Sequence, residues 1–119
     1  MLGHYNTRTI HVPGALTANL TIYINMPIDC HLARVSAVAS NDSDATLMIG
    51  ISTDTDSILA ASTIGDSGTP EVFDRDDFAT TNPDGELSQG DILVLTVDFD
   101  GATGTAAQNL TIDLAFVEG

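Results

Sequence analysis

Apolar and polar residues alternate with a period of two along four stretches of the chain. The clearest is residues 20–26, where leucine, isoleucine and methionine alternate with threonine, tyrosine and asparagine, and residues 45–51, 92–99 and 110–117 repeat the pattern. Successive side chains of a β-strand point to opposite faces, so each stretch predicts a strand with one buried face. The predicted core residues are Leu20, Ile22, Ile24, Leu47, Ile49, Leu95, Val97, Leu110, Ile112, Leu114 and Phe116.

Weaker strand patterns lie between these stretches. They cover residues 7–12, 31–40 and 58–64, with a short piece at Val72 and Phe73. Turn-forming residues separate them, as in the pairs and clusters Pro13-Gly14, Met26-Pro27, Asn41-Asp42-Ser43-Asp44, Asp54-Thr55-Asp56 and Asp100-Gly101. About eight short strands with frequent turns predict an all-β, single-domain β-sandwich, with a jelly roll as the leading topology.

Three stretches depart from this regular pattern. Residues 92–95 are apolar on both faces, as expected of a strand that is covered on both sides. Residues 65–90 hold two prolines, four glycines and seven acidic residues, and connections of this length are often functional. Residues 57–62 are compatible with one helical turn.

The chain of 119 residues has room for one domain. We predict an N-terminal arm over residues 1–16 and a β-sandwich domain over residues 17–119. The start of the sequence has neither the basic nor the apolar region of a signal peptide. Cys30 is the single cysteine, so the chain forms no internal disulfide.

Charge is the most unusual feature of the composition. Three arginines oppose 17 acidic residues, which gives a formal net charge of −14. Such a chain repels phosphate backbones and anionic membranes, so we expect neither nucleic acid nor a membrane as a partner. Fourteen of the acids are aspartates beside Gly, Ser, Thr and Asn, which is the composition of solvated turns.

Two motifs invite a catalytic interpretation. Gly65-Asp66-Ser67-Gly68 matches the nucleophile motif of chymotrypsin-like proteases, but that chemistry needs a histidine base beside the serine and two β-barrels to hold the triad. Cys30 and His31 are neighbours on a predicted strand, so they point to opposite faces and cannot share a proton. We therefore predict a turn, a buried apolar cysteine and no enzymatic activity.

Three acidic clusters are candidates for a hard cation such as calcium, namely 54–56, 74–77 and 98–101. None completes an EF-hand, since the twelfth position counted from Asp98 is Asn109. The three histidines lack the spacing of a zinc site. We predict no cofactor and assign no metal ligand, and solvated loop acids remain the preferred interpretation.

Residues 27–119 resemble the small β-sandwich decoration proteins, or cement proteins, of tailed viruses. The resemblance rests on residues 45–51, on Gly90-Asp91 followed by the strand to Val97, and on the terminal Phe116-Val117-Glu118-Gly119. It implies a non-enzymatic virion protein, assembled in the host cytoplasm, that decorates and stabilises the outer surface of a capsid. It also implies a homotrimer on the capsid protein lattice, with N-terminal segments that reach neighbouring subunits.

Residues 1–16 carry apolar side chains whose ordering needs a partner, because fixing a chain costs roughly 1–2 kcal/mol per residue. The predicted capsid or subunit contacts are Met1, Leu2, His4, Tyr5, Ile10 and Val12. The alternative function is a calcium-assisted carbohydrate-binding β-sandwich, for which the absence of tryptophan leaves few aromatic platforms. Tyr23, on the polar face of its strand, is either a plain surface residue or an interface contact.

Overall fold

The computed structural model describes residues 5–118, with side chains from residue 6 onward. This part of the chain contains nine strands and one short 3₁₀ helix, Arg75–Asp77. The strands are β1 (Tyr5–Ala15), β2 (Leu20–Asn25), β3 (Cys30–Val38), β4 (Thr46–Ile51), β5 (Asp54–Thr63), β6 (Glu71–Phe73), β7 (Glu86–Leu87), β8 (Ile92–Asp98) and β9 (Gln108–Glu118). No helix within residues 5–118 is long and apolar enough to cross a membrane.

The strands form two antiparallel sheets. The first has the order β1-β9-β3-β6, and β7 also pairs with β3. The second has the order β2-β8-β4-β5. Consecutive strands from β1 to β4 alternate between the sheets, β4 and β5 form a hairpin, and β8 and β9 cross back. This is the order of a jelly roll, so the predicted fold class is confirmed.

The core lies between the inner faces of the two sheets, as the alternation predicted. Nine of the eleven predicted core residues are buried, and the central strands β4, β8 and β9 supply most of them. Leu20 and Ile22 are only partly buried. The reason is the position of β2 at the margin of its sheet, a position that alternation alone does not reveal.

The outer face of the second sheet is covered near its middle, as the doubly apolar start of β8 predicted. Val94 points outward yet is only 2% exposed. It lies beside Gly50, and a Cβ atom on Gly50 would sit 2.2 Å from the carbonyl oxygen of Asp54. The first residues of β5 therefore fold over this face, and glycine is needed where the two backbones meet.

Two turn predictions were wrong. The weak strand predicted at residues 58–64 is confirmed as part of β5, so the alternative of a helical turn at residues 57–62 does not occur. The turn before β5 is at Ser52 and Thr53, and residues 54–56 already belong to the strand. Pro13-Gly14 does not end β1, because a bulge there lets the strand continue to Ala15.

The long segment after β5 is held to the sandwich by backbone hydrogen bonds. Gly65 donates its N–H to the carbonyl of Ala37 at 3.0 Å, and Gly85 accepts at 2.8 Å from the N–H of Leu32. The short strand predicted at Val72 and Phe73 is confirmed as β6. The segment therefore lies along one margin of the molecule instead of projecting from it.

Candidate functional site

The sandwich has two narrow edges with opposite properties. At one edge, β1 borders the first sheet and β2 borders the second. Residues 5–28, which form both strands and the loop after β2, contain Arg8 and no acidic residue. We call this surface the acid-free edge. With Arg8 as its charged residue, this edge is positive, whereas the chain as a whole has a formal net charge of −14.

A groove opens at the acid-free edge where the start of β1 meets the loop after β2. Its volume is about 230 Å³. The buried side chains of Met26, Cys30 and Phe116 form an apolar floor. Ile28 and Arg8 lie at its rim, and Arg8 also borders a second depression beside Gln89 and Gly90. The groove therefore offers an apolar pocket beside a single cation.

Cys30 is part of this floor, and its surroundings favour the protonated thiol. It is 4% exposed, and its Sγ lies 3.8 Å from the Sδ of Met26. Burial, and secondarily the charge of Asp29, raise the pKa of the thiol, which favours the unreactive protonated form. His31 is partly exposed on the other face of β3. The prediction of an apolar, buried cysteine that shares no proton with His31 is confirmed.

The opposite edge is strongly acidic. It is formed by β5, β6 and the segment that follows, residues 54–86, which hold nine acidic residues and one cation, Arg75. The arginine makes only a loose ion pair with Asp84, at 3.9 Å between exposed groups. We call this surface the acid-rich edge.

Several of these acids form hydrogen bonds within the acid-rich edge. Asp74 caps the 3₁₀ helix by accepting from the N–H of Asp76 at 3.0 Å, and Asp77 accepts in return from the N–H of Asp74. On β5, a hydrogen bond to the side chain of Asp56 raises the pKa of Asp54, with burial and like charge adding to the effect. Both carboxylates of this pair are solvent-exposed.

A similar pair joins Asp42, in the loop after β3, to Asp66, in the turn after β5. A hydrogen bond to the side chain of Asp66, followed by repulsion from it, raises the pKa of Asp42. Among the residues with described positions, no three Asp, Glu, His or Cys side chains form a group that could hold a metal ion. Of the candidate clusters, 74–77 forms the helix cap and 98–101 begins a turn in which Asp100 accepts from the hydroxyl of Thr103.

The protease-like motif is a turn, as predicted. Ser67 and Gly68 both have left-handed backbone conformations, with φ of 52° and 81°. Their N–H groups donate to the carbonyls of Asn41 and Ala39, so the turn closes the end of β3. On the first sheet, His11 hydrogen-bonds the hydroxyl of Thr111 at 2.9 Å. The motif therefore acts as a connection between β5 and β6.

The predicted contact residues fall in three groups. Met1, Leu2 and His4 lie outside the described residues. Tyr5 begins β1, opposite Val117 of β9. Ile10 and Val12 point inward from β1 and pack, partly buried, against the core. Residues 5–15 of the predicted arm are thus a paired strand of the first sheet, and their role in contacts outside the chain stays a prediction.

Sequence reasoning missed the division of charge between the two edges. The signal was present, since the first acidic residue of the chain is Asp29. It also missed that the three exposed large hydrophobic side chains of the described region lie at these margins. Tyr23 on β2 is 68% exposed, Ile28 in the following loop 37%, and Val72 on β6 39%.

Comparison with known proteins gives one match. No protein-family model matches the sequence. No curated protein matches it either. Among solved structures, a chain of the capsid asymmetric unit of the cyanophage Pam1 is similar, with a TM-score of 0.59 and 14% sequence identity. The match covers 99% of this chain and 87% of that one. At this identity the likeness shows the fold alone: the chain has a β-sandwich fold that also occurs in a phage capsid.

Proposed function

We propose that this protein is a non-enzymatic structural protein of a virion, which decorates the outer surface of a capsid shell and stabilises it. The observation that carries the proposal is the match of the whole fold, over 99% of the chain, to a chain of a phage capsid asymmetric unit. The partner is the capsid protein lattice, and assembly takes place in the host cytoplasm. The protein acts as a homotrimer.

The surface of the molecule supports a binding role. The motifs that suggested catalysis are used structurally, Ser67 in a turn and Cys30 in the core. The strong negative charge keeps densely displayed copies soluble and prevents decorated particles from adhering to one another. No observation in residues 5–118 favours the carbohydrate-binding alternative, so a single function is proposed.

The N-terminal segment is proposed as part of the attachment surface. Residues 5–15 form β1, which pairs with β9 along the length of the first sheet. Residues 1–4 can therefore be removed without touching any described strand, whereas removal through residue 12 would also take Ile10 and Val12 from the core. The shorter deletion separates attachment from folding.

The test is co-sedimentation of purified protein with capsid shells that lack it. We expect full-length protein to sediment with the shells and the protein without residues 1–4 to remain largely in the supernatant, at equal thermal stability. Undiminished binding of the shortened protein would remove the N-terminal segment from the mechanism. A full-length protein that stays in the supernatant at all shell concentrations would refute the capsid function.

A further inference from the structure

The distribution of charge restricts how two copies of this protein can meet. Each copy has a net charge of −14, and charge of this size opposes association through repulsion. The acid-free edge, residues 5–28, is the margin where another copy meets the fewest carboxylates: Asp113 of β9 accepts a hydrogen bond from Thr9, and Asp29 follows the loop after β2. On the acid-rich edge, residues 54–86 present nine carboxylates against Arg75. The two edges of one chain are therefore electrostatically complementary to each other.

Exposed apolar side chains lie on both edges. Ile28 borders the groove of the acid-free edge, whose floor is Met26, Cys30 and Phe116. Val72 lies on β6 at the acid-rich edge, next to the exposed carboxylate of Glu71. Val72, which is 39% exposed and follows Glu71, is the apolar side chain of this edge that the 230 Å³ apolar groove beside Arg8 would accept. Charge and apolar pattern therefore indicate the same pairing.

The free strand margins agree with this arrangement. Within residues 5–118, β1 pairs only with β9 and β2 only with β8, so both leave one margin unpaired. Soluble proteins commonly protect such margins with charged side chains. This chain has 17 acids and places none on either strand. β1 is protected by Arg8 and by the bulge at Pro13-Gly14, whereas β2 carries no charged residue, so the margin of β2 is the one open to another molecule.

We propose that the occupant of the groove is a second copy of this chain: the acid-rich edge of one copy, led by Val72, docks on the acid-free edge of the next, beside Arg8. A contact between two different surfaces is heterologous, and three such contacts close into a ring when the rotation between copies is 120°. The inference deepens the homotrimer of the proposed function and rests on it for the number of copies.

The first test compares two arginines. Arg8 lies at the groove, whereas Arg34 lies on the broad outer face of the first sheet, beside Asp113. Arg8→Glu and Arg34→Glu change the net charge equally, so they differ only in position. By sedimentation equilibrium we expect the wild type and Arg34→Glu to have the mass of three chains, and Arg8→Glu to dissociate at least tenfold more readily. Equal effects of the two variants would overturn the proposal. So would a wild-type protein that is monomeric at about 100 μM.

The second test asks whether the two edges meet each other. Val72→Asp damages the acid-rich edge and leaves the acid-free edge intact, and Arg8→Glu does the reverse. Each variant alone is expected to be monomeric, and an equimolar mixture should form a dimer of one copy of each, through the one intact pair of edges. Dimer formation also shows that both variants are folded. A Val72→Asp protein that still forms the wild-type oligomer, or a mixture that stays monomeric, would refute the head-to-tail contact.

These measurements use purified protein without shells, so they are independent of the co-sedimentation test. A ring in solution that ignores capsid shells would leave the contact between copies standing and refute the decoration function. A protein that binds shells as a monomer would do the opposite.

Discussion

The two narrow edges of the sandwich differ in how the unpaired backbone margins of their outer strands are covered. At the acid-rich edge, the segment after β6 covers the free margin of β5. The N–H of Ala79 donates to the carbonyl of Ile58 at 2.7 Å, and the hydroxyl of Thr81 donates to the backbone carbonyl of Ser57 at 2.9 Å. At the acid-free edge, β1 and β2 have no such cover within residues 5–118. The margin that the protein's own chain covers has many acids in the covering segment, residues 74–86, whereas the uncovered strands β1 and β2 carry none.

The largest expected effect concerns the contrast between the centre of a sheet and its open edge. Ile49 on β4 is fully buried, and Ile22 on β2 is partly buried. We expect Ile49→Ala to lower the free energy of unfolding by about 2–5 kcal/mol. The same change at Ile22 should cost roughly half as much, because part of the removed surface is already in water.

Urea unfolding of the two variants measures this difference. A cost at Ile22 equal to that at Ile49 would mean that β2 is as well covered as the centre of the sheet. Carried out above and below the concentration at which the protein associates, the experiment also shows whether another copy covers β2.

A medium effect is expected from a matched pair of glycines. Gly85 and Gly14 both have left-handed backbones, with φ of 63° and 80°. A Cβ atom on Gly85 would lie 2.5 Å from the carbonyl oxygen of Leu32, while one on Gly14 would have no atom within 4 Å. We expect Gly14→Ala to cost about 1 kcal/mol for the backbone conformation alone. Gly85→Ala should lower the free energy of unfolding by roughly 1–3 kcal/mol more, because the segment of residues 74–86 that covers β5 must move away from β3.

Thermal melting and limited proteolysis check the glycine pair together. The Gly85 variant should be cut faster within residues 74–86, and the Gly14 variant should resemble the wild type in this respect. Equal losses of stability at both positions would show that the covering segment is not held by its contact with β3.

The smallest effect is the pH dependence of the acid-rich edge. The hydrogen bond to Asp56 raises the pKa of Asp54 above its ordinary value of 3.8, so the folded protein binds this proton more tightly than the unfolded chain. The stabilisation is fully present below the ordinary value and is lost as the pH rises through the raised one. Asp54→Asn should therefore raise the melting temperature slightly at pH 7 and flatten its dependence on pH in the acidic range.

The control for this measurement is Asp76→Asn. Asp76 takes part in the helix cap through its backbone N–H, so this substitution removes an exposed carboxylate and leaves that hydrogen bond in place. The two variants have the same net charge. If both flatten the pH dependence equally, the general charge of the protein is responsible, and the pairing of Asp54 with Asp56 is not.

Much of the fold was predictable from the residues themselves. Alternation over residues 45–51, 92–99 and 110–117 predicted the three central strands and their buried faces, because a strand's side chains alternate whatever its neighbours are. The double apolar pattern at the start of β8 predicted cover on both faces, which Val94 confirms. The local errors, at residues 54–56 and at Pro13-Gly14, arose where the turn preferences of a few residues competed with pairing to β4 and to β9.

By itself, the sequence determined the strand faces, the buried cysteine, the turn at residues 65–68 and the division of acids along the chain, since all of these depend on near neighbours. Only the tertiary structure decided which strands lie at the margins, and this placed β1 and β2 at one edge and β5 and β6 at the other. The groove joining Arg8 to Met26 and Phe116 exists for the same reason. Strand order comes from contacts between residues far apart in the chain, and periodicity within a strand carries no information about them.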